Sequence, residues 1–94
     1  MKHASCSDLK AIGDLITRIR AFEGIREKSP CHFYYRNHNV LHFHTDSGLL
    51  YADLGERRIS LGKTLNPDKT KVDLVLSVLV HILSVDKSKK VFER

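Results

Sequence analysis

An α+β fold is predicted for this 94-residue chain on two observations: four strand-like segments joined by very short turns, and a helical pattern on either side of them. Connections that short force antiparallel neighbours, so the strands form a four-stranded meander with both helices packed on one face, in the order α-β-β-β-β-α. The length suits one domain. With 41% apolar and 29% charged residues, the composition is that of a folded chain. Residues 1–86 are read as that domain and residues 87–94 as a basic C-terminal tail.

The first helix is expected over residues 8–23, where Leu9, Ile12, Ile16 and Ile19 recur at helical spacing and Leu15 and Phe22 widen the stripe. Ser5 followed by Asp8 is a capping-box pattern, Ser7 is an alternative cap, and Gly24 suits a left-handed stop. Gly13, inside the helix, suggests a close approach to another element.

Pro30 opens the strand region. HFYYR (32–36) is aromatic-rich, as strands favour, and NHN (37–39) is a turn. VLHFHT (40–45), the turn DSG, LLYADL (49–54), the turn GE and RRISL (57–61) complete the meander. The second helix is announced by NPDKTK: Asn66 as cap, Pro67 in the first turn and Asp68 at the positive end of the dipole. Its body, 69–86, is apolar nearly all round, broken only by a stripe of Asp73, Ser77, His81 and Ser84. Such a helix is contacted on more than one side, and His81 is expected as a hydrogen-bonded core histidine.

Strand residues alternate between faces. Leu41, Phe43, Leu50, Ala52, Leu54, Ile59 and Leu61 fall on one face, expected beneath the helices. His42 and His44 then emerge on the other. With tight hairpins, His44 lies opposite Leu49, His42 opposite Tyr51 and Val40 opposite Asp53, while Asp53 faces Arg58 as a cross-strand ion pair. Phe33 is expected opposite His42 and Tyr35 opposite Val40, so this face collects Phe33, Tyr35, Val40, His42, His44, Leu49, Tyr51, Asp53, Arg58 and Ser60. An apolar, aromatic patch around two imidazoles and a carboxylate marks a ligand groove or a partner surface, such as a homodimer contact.

The leading reading is a small ligand- or partner-binding domain with Phe33, Tyr35, His42, His44, Tyr51, Asp53 and Arg58 at the site. The alternative is an enzyme. Two histidines two apart on a strand have Cα atoms about 6.6 Å apart, close enough to share one divalent ion, with Asp53 as third ligand. Alternatively, His42 or His44 moves protons with Asp53 and Tyr51. Cys31 and His32 are chain neighbours on opposite strand faces, so this histidine does not activate that thiol. His3 and His38 are expected to be solvated.

Nucleic acid is the third reading. Helix-strand-strand-strand-helix order is that of double-stranded-RNA-binding domains, and Lys69 and Lys71 open the second helix where such domains touch phosphate. Against it, there is no run of consecutive lysines there. Four of the 16 lysines and arginines, with one of the 11 acidic residues, sit in the last eight positions rather than on a folded face. Two cysteines far apart and no apolar leader after Met1 argue against a disulfide framework and fit a reducing cytoplasm. The longest apolar run, 72–85, is too short and too interrupted to span a bilayer.

The stretch HFYYRNHNVLHFHTDSGLLYADLG resembles small, largely bacterial proteins of uncharacterised role sometimes grouped under a luciferase-like domain label. Their pattern is an aromatic strand, an apolar residue, H-x-H, an acidic or small turn, and a strand ending in Asp-Leu. It falls here on Tyr34, Leu41, His42, His44, Asp46, Gly48, Asp53 and Leu54, and the likeness covers residues 22–62. The resemblance does not imply luminescence or oxygenase activity for so short a chain. It implies that the His42–His44 face is the functional surface.

Overall fold

The computed structural model describes the backbone of residues 2–92 and the side chains of residues 2–85. In chain order it contains β1 (Lys2–His3), a 3-10 helix (Cys6–Ile12), α1 (Gly13–Arg20), β2 (Ile25–Ser29), β3 (His32–Tyr35), β4 (His38–Asp46), β5 (Leu49–Leu54), β6 (Arg57–Lys63), β7 (Asn66–Pro67) and α2 (Lys69–Phe92). The fold is α+β as expected, with a seven-stranded antiparallel sheet in place of a four-stranded one. The additional strands are short or polar. β1 and β7 have two residues each, and IREKS (β2) carries three charges and one apolar side chain.

The sheet runs β2-β3-β4-β5-β6-β7, and β1 pairs with β4 outside that order. β4 is nine residues long, and two segments share one of its edges. β3 takes the first part (Phe33 opposite Leu41, Tyr35 opposite His38) and β1 the last (Lys2 opposite Thr45, His3 opposite His44). Both run antiparallel to β4, so β1 and β3 lie in line, and the chain leaves the sheet after Ala4 close to where β3 enters it. The Ala4 amide still donates to the Phe43 carbonyl at 2.9 Å.

Two-residue turns set the registers. Arg36 and Asn37 (φ 52° and 67°) close β3 onto β4, and Ser47 and Gly48 (φ 54° and 80°) close β4 onto β5. Consecutive left-handed residues match the twist of a hairpin. The first turn is therefore Arg36–Asn37, not residues 37–39. The second leaves Asp46 opposite Leu49, which places His42 opposite Asp53 and His44 opposite Tyr51. Each pairing thus differs by one alternating position from the expected one, and face parity is kept. A bulge follows Phe33, where Val40 is the extra residue on β4, so Val40 and Leu41 are both buried.

All seven residues expected beneath the helices are buried, and they form one cluster with Ile16, Ile19, Val75 and Leu79. α2 lies against β5 and β6, and α1 against β2 and α2. Phe33 and Tyr35 are buried in this core at 0% and 6% exposure, a correction to their expected place beside the histidines. Of the pairs His32/Phe33 and Tyr34/Tyr35, the more apolar set turned inward.

The helices also differ in detail. The Ser5–Asp8 capping box is present, but the first turns it caps are 3-10, and the α-helix runs only over Gly13–Arg20. A Cβ on Gly13 would meet nothing within 4 Å, so this glycine serves no close approach. Asp68, not Asn66, caps α2: its Oδ1 accepts from the Thr70 amide at 2.9 Å, while Asn66 and Pro67 pair with β6. His81 is exposed, not a core histidine. Leu74, Val80 and Val85 are exposed on the same helix. The expected basic tail, 87–94, falls outside the described side chains. Among the described residues no helix is long and apolar enough to cross a membrane.

Candidate metal centre

His42 and His44 project from the sheet face opposite the helices because their neighbours Leu41 and Phe43 hold the core face at 0% and 1% exposure. Asp53 projects to the same side from β5, directly across from His42, and Arg58 does so from β6, across from Asp53. Arg58 grips the carboxylate with two bonds, Nε to Oδ1 at 2.7 Å and Nη2 to Oδ2 at 3.0 Å. This fork fixes the plane of the carboxylate and leaves Oδ2 turned to the imidazoles. It also holds the Asp53 carboxyl below the usual range. Burial opposes that effect, and the charges of Arg58, His44 and His42 reinforce it.

The imidazoles do not complete this network as hydrogen-bond donors. Nδ1 of His42 is 3.3 Å from the side-chain oxygen of Asn39. That oxygen accepts, so the contact suits the tautomer with the proton on Nδ1, which leaves the lone pair on Nε2. Nε2 then faces Asp53 Oδ2 at 3.4 Å. Nδ1 of His44 stands closer, 2.7 Å from the same Oδ2. Despite that distance it is off the hydrogen-bond line, so this buried nitrogen has no hydrogen-bond partner. Two imidazole nitrogens therefore converge on one carboxylate oxygen without a well-made bond.

Two further histidines complete the rim. His3 is brought beside His44 by β1 pairing, with ring centroids 4.5 Å apart, and His32 at the start of β3 stacks on His42 at 6.1 Å and 7° between planes. His3 and His32 are 5.1 Å apart, and His42 and His44 4.8 Å apart. Burial is the larger effect at His42, and together with the neighbouring histidines it outweighs Asp53 and lowers the pKa of this ring. Neutral imidazole is the form that binds metal.

One ligand atom each from His42, His44 and Asp53 lies within 4.8 Å of the others. Two donors on one ion at about 2.1 Å each are at most about 4.2 Å apart, so a small side-chain rotation closes the set.

No family model, curated protein or solved structure matches this chain.

Of the residues singled out in the sequence, His42, His44, Asp53 and Arg58 are brought together. Tyr51 lies across from His44, its ring 6.0 Å from the Arg58 guanidinium. Phe33 and Tyr35 lie beneath the sheet. Sequence reading missed His3, His32 and Asn39. The signal for His32 was present, since turning Phe33 inward turns His32 outward. For His3 there was none, because a two-residue strand has no periodicity.

Proposed function

We propose that this chain is a divalent transition-metal-binding domain, with His42, His44 and Asp53 as the ligand set and His3 or His32 able to supply a fourth imidazole. The observation that carries this reading is the convergence of His42 Nε2 and His44 Nδ1 on Asp53 Oδ2, at 3.4 and 2.7 Å, with no aligned hydrogen bond at the buried nitrogen. A cation among these atoms would satisfy all three, and imidazole and carboxylate together suit zinc, iron, nickel or copper. Arg58 on Asp53 and Asn39 on His42 have the outer-shell roles that orient ligands. If water holds the fourth position, the site is of the open kind that activates water for hydrolysis; if His3 holds it, the site is closed and structural.

The Arg58 fork favours a second reading, in which Asp53 is already neutralised and the His face binds a small molecule without metal. Elemental analysis of untagged protein, followed by zinc titration and the visible spectrum after cobalt substitution, separates the two. A stoichiometric metal with a tetrahedral or five-coordinate cobalt spectrum supports the first reading. No bound metal and no zinc affinity would leave the second.

A further inference from the structure

β1 leaves the edge of β4 near the point where β3 joins it, and this brings together two thiols that are 25 residues apart in sequence. Cys6, at the start of the 3-10 helix, and Cys31, in the turn between β2 and β3, have their sulfurs 2.9 Å apart. Cys6 is exposed and Cys31 buried, and both are free thiols. A pocket of about 240 Å³ opens beside them, lined by Leu9, Lys10, Gly13 and Arg20 among others. The turn is held in an unusual conformation. Cys31 has φ 63°, a left-handed value for a residue with a side chain, and its amide donates to Glu27 Oε2 at 2.7 Å. Glu27 is itself gripped by Arg20 of α1 through two bonds of 2.9 Å. This bracing keeps Cys31 turned toward Cys6 against its backbone preference.

We propose that Cys6 and Cys31 are a redox modification site that closes to an intrachain disulfide on exposure to hydroperoxide and reopens with a thiol reductant. In the first step the exposed Cys6 thiol attacks hydrogen peroxide, becomes a sulfenic acid and releases water. The Cys31 sulfur then attacks the Cys6 sulfur, and the hydroxyl group leaves as water with the Cys31 proton. Two thiols are oxidised to one disulfide as one peroxide is reduced to two waters. The residues beside the pair give the bond a consequence. Cys6 follows the strand that carries His3, and Cys31 precedes His32, so the disulfide would tie the N-terminal segment to the strand holding the other rim imidazole. That coupling rests on the metal reading above; the disulfide does not.

The test uses the full chain, metal-free, treated with one equivalent of hydrogen peroxide, unfolded in an alkylating reagent and weighed intact. The expected product is a monomer lighter by two hydrogens, with neither cysteine alkylated, that returns to a doubly alkylated species after dithiothreitol. Only two cysteines are present, so the assignment is unambiguous. Cys6 driven to sulfinic acid with Cys31 alkylated, or disulfide-linked dimers, would overturn the proposal. Zinc titration of the oxidised chain against the C6S/C31S double variant, which removes both thiols as ligands, tests the coupling. Several-fold tighter binding by the oxidised chain supports it, and equal affinities overturn it. Absence of zinc binding in both would sink the metal reading while leaving the disulfide standing.

Discussion

Nδ1 of His44 stands 2.7 Å from Oδ2 of Asp53 without forming a hydrogen bond, on a sheet face where the same oxygen is held at 3.0 Å by Arg58. A short contact that is electrostatically incomplete is the feature a bound cation would resolve, and it orders the expected effects of substitution at the site.

His44→Ala and His42→Ala should each weaken zinc or cobalt binding by ten-fold or more, since each removes a donor. His3→Ala should separate the open from the closed form of the site. A loss as large as that from His44→Ala indicates a closed, four-ligand centre, and a loss under three-fold indicates water in that position. Isothermal titration with each variant measures this. Equal, unchanged affinity in all three would remove the centre.

Asp53→Asn keeps the shape of the side chain but removes its charge. It should abolish tight metal binding and lower the Tm of the metal-free chain, because Arg58 loses its partner across the β5–β6 pair. Arg58→Gln should lower metal affinity less, since it loosens the carboxylate without removing a donor.

Within the candidate site, the acid dependence of the metal-free chain follows from two shifts of the same sign. His42 is lowered from its ordinary value of 6.5, chiefly by burial, and Asp53 is lowered from 3.8, chiefly by the hydrogen bond from Arg58. Each group prefers its deprotonated form in the folded state, so each contributes stability above its unfolded pKa that is lost as the pH falls through its folded one. Thermal unfolding should therefore be level from pH 6.5 to 9.0, above which the raised Cys31 thiol costs stability; on acidification it should decline first as His42 is forced to charge, and again as Glu27, lowered from 4.5, and Asp53, lowered from 3.8, take up protons. His42→Gln should flatten the first decline and keep the second. Stability rising on acidification below pH 6.5 would contradict both assignments.

Two glycines should respond to alanine with opposite signs. Gly13 has helical φ and ψ of −56° and −37° and open space about it, so Gly13→Ala should stabilise by about 0.5–1 kcal/mol. Gly24 has φ +87°, and a Cβ there would stand 2.8 Å from Cε1 of Tyr35. Gly24→Ala should cost more than about 1 kcal/mol, from backbone strain and from displacing a buried ring. Urea unfolding of the two variants gives the comparison.

The alternation of Leu41, His42, Phe43 and His44 was sufficient to put both imidazoles on the face opposite the core, because a period of two survives any register shift by two. The pairing itself was not legible. Whether Asp53 or Tyr51 lies across from His42 depends on which residues close the hairpin, and only the left-handed Ser47–Gly48 pair decides it. Phe33 and Tyr35 were assigned to the wrong face because they were placed by their expected pairing with β4, which lacked the Val40 bulge that brings Phe33 opposite Leu41. Asp53 with Arg58 was readable, since GE between two strands leaves one possible tight turn.

By itself the sequence determined the α+β class, the inward set of β4, β5 and β6, the Ser5 cap and the shared side of His42, His44 and Asp53. These are local properties, written in periodicity and turn chemistry over a few residues. Tertiary structure alone decided that His3 joins that face and that Cys6 meets Cys31. Those contacts come from β1 and β3 lying end to end along one edge of β4, an arrangement set by which hydrogen-bonding edge remains free. Backbone amides and carbonyls are the same at every residue, so no side-chain pattern announces that choice.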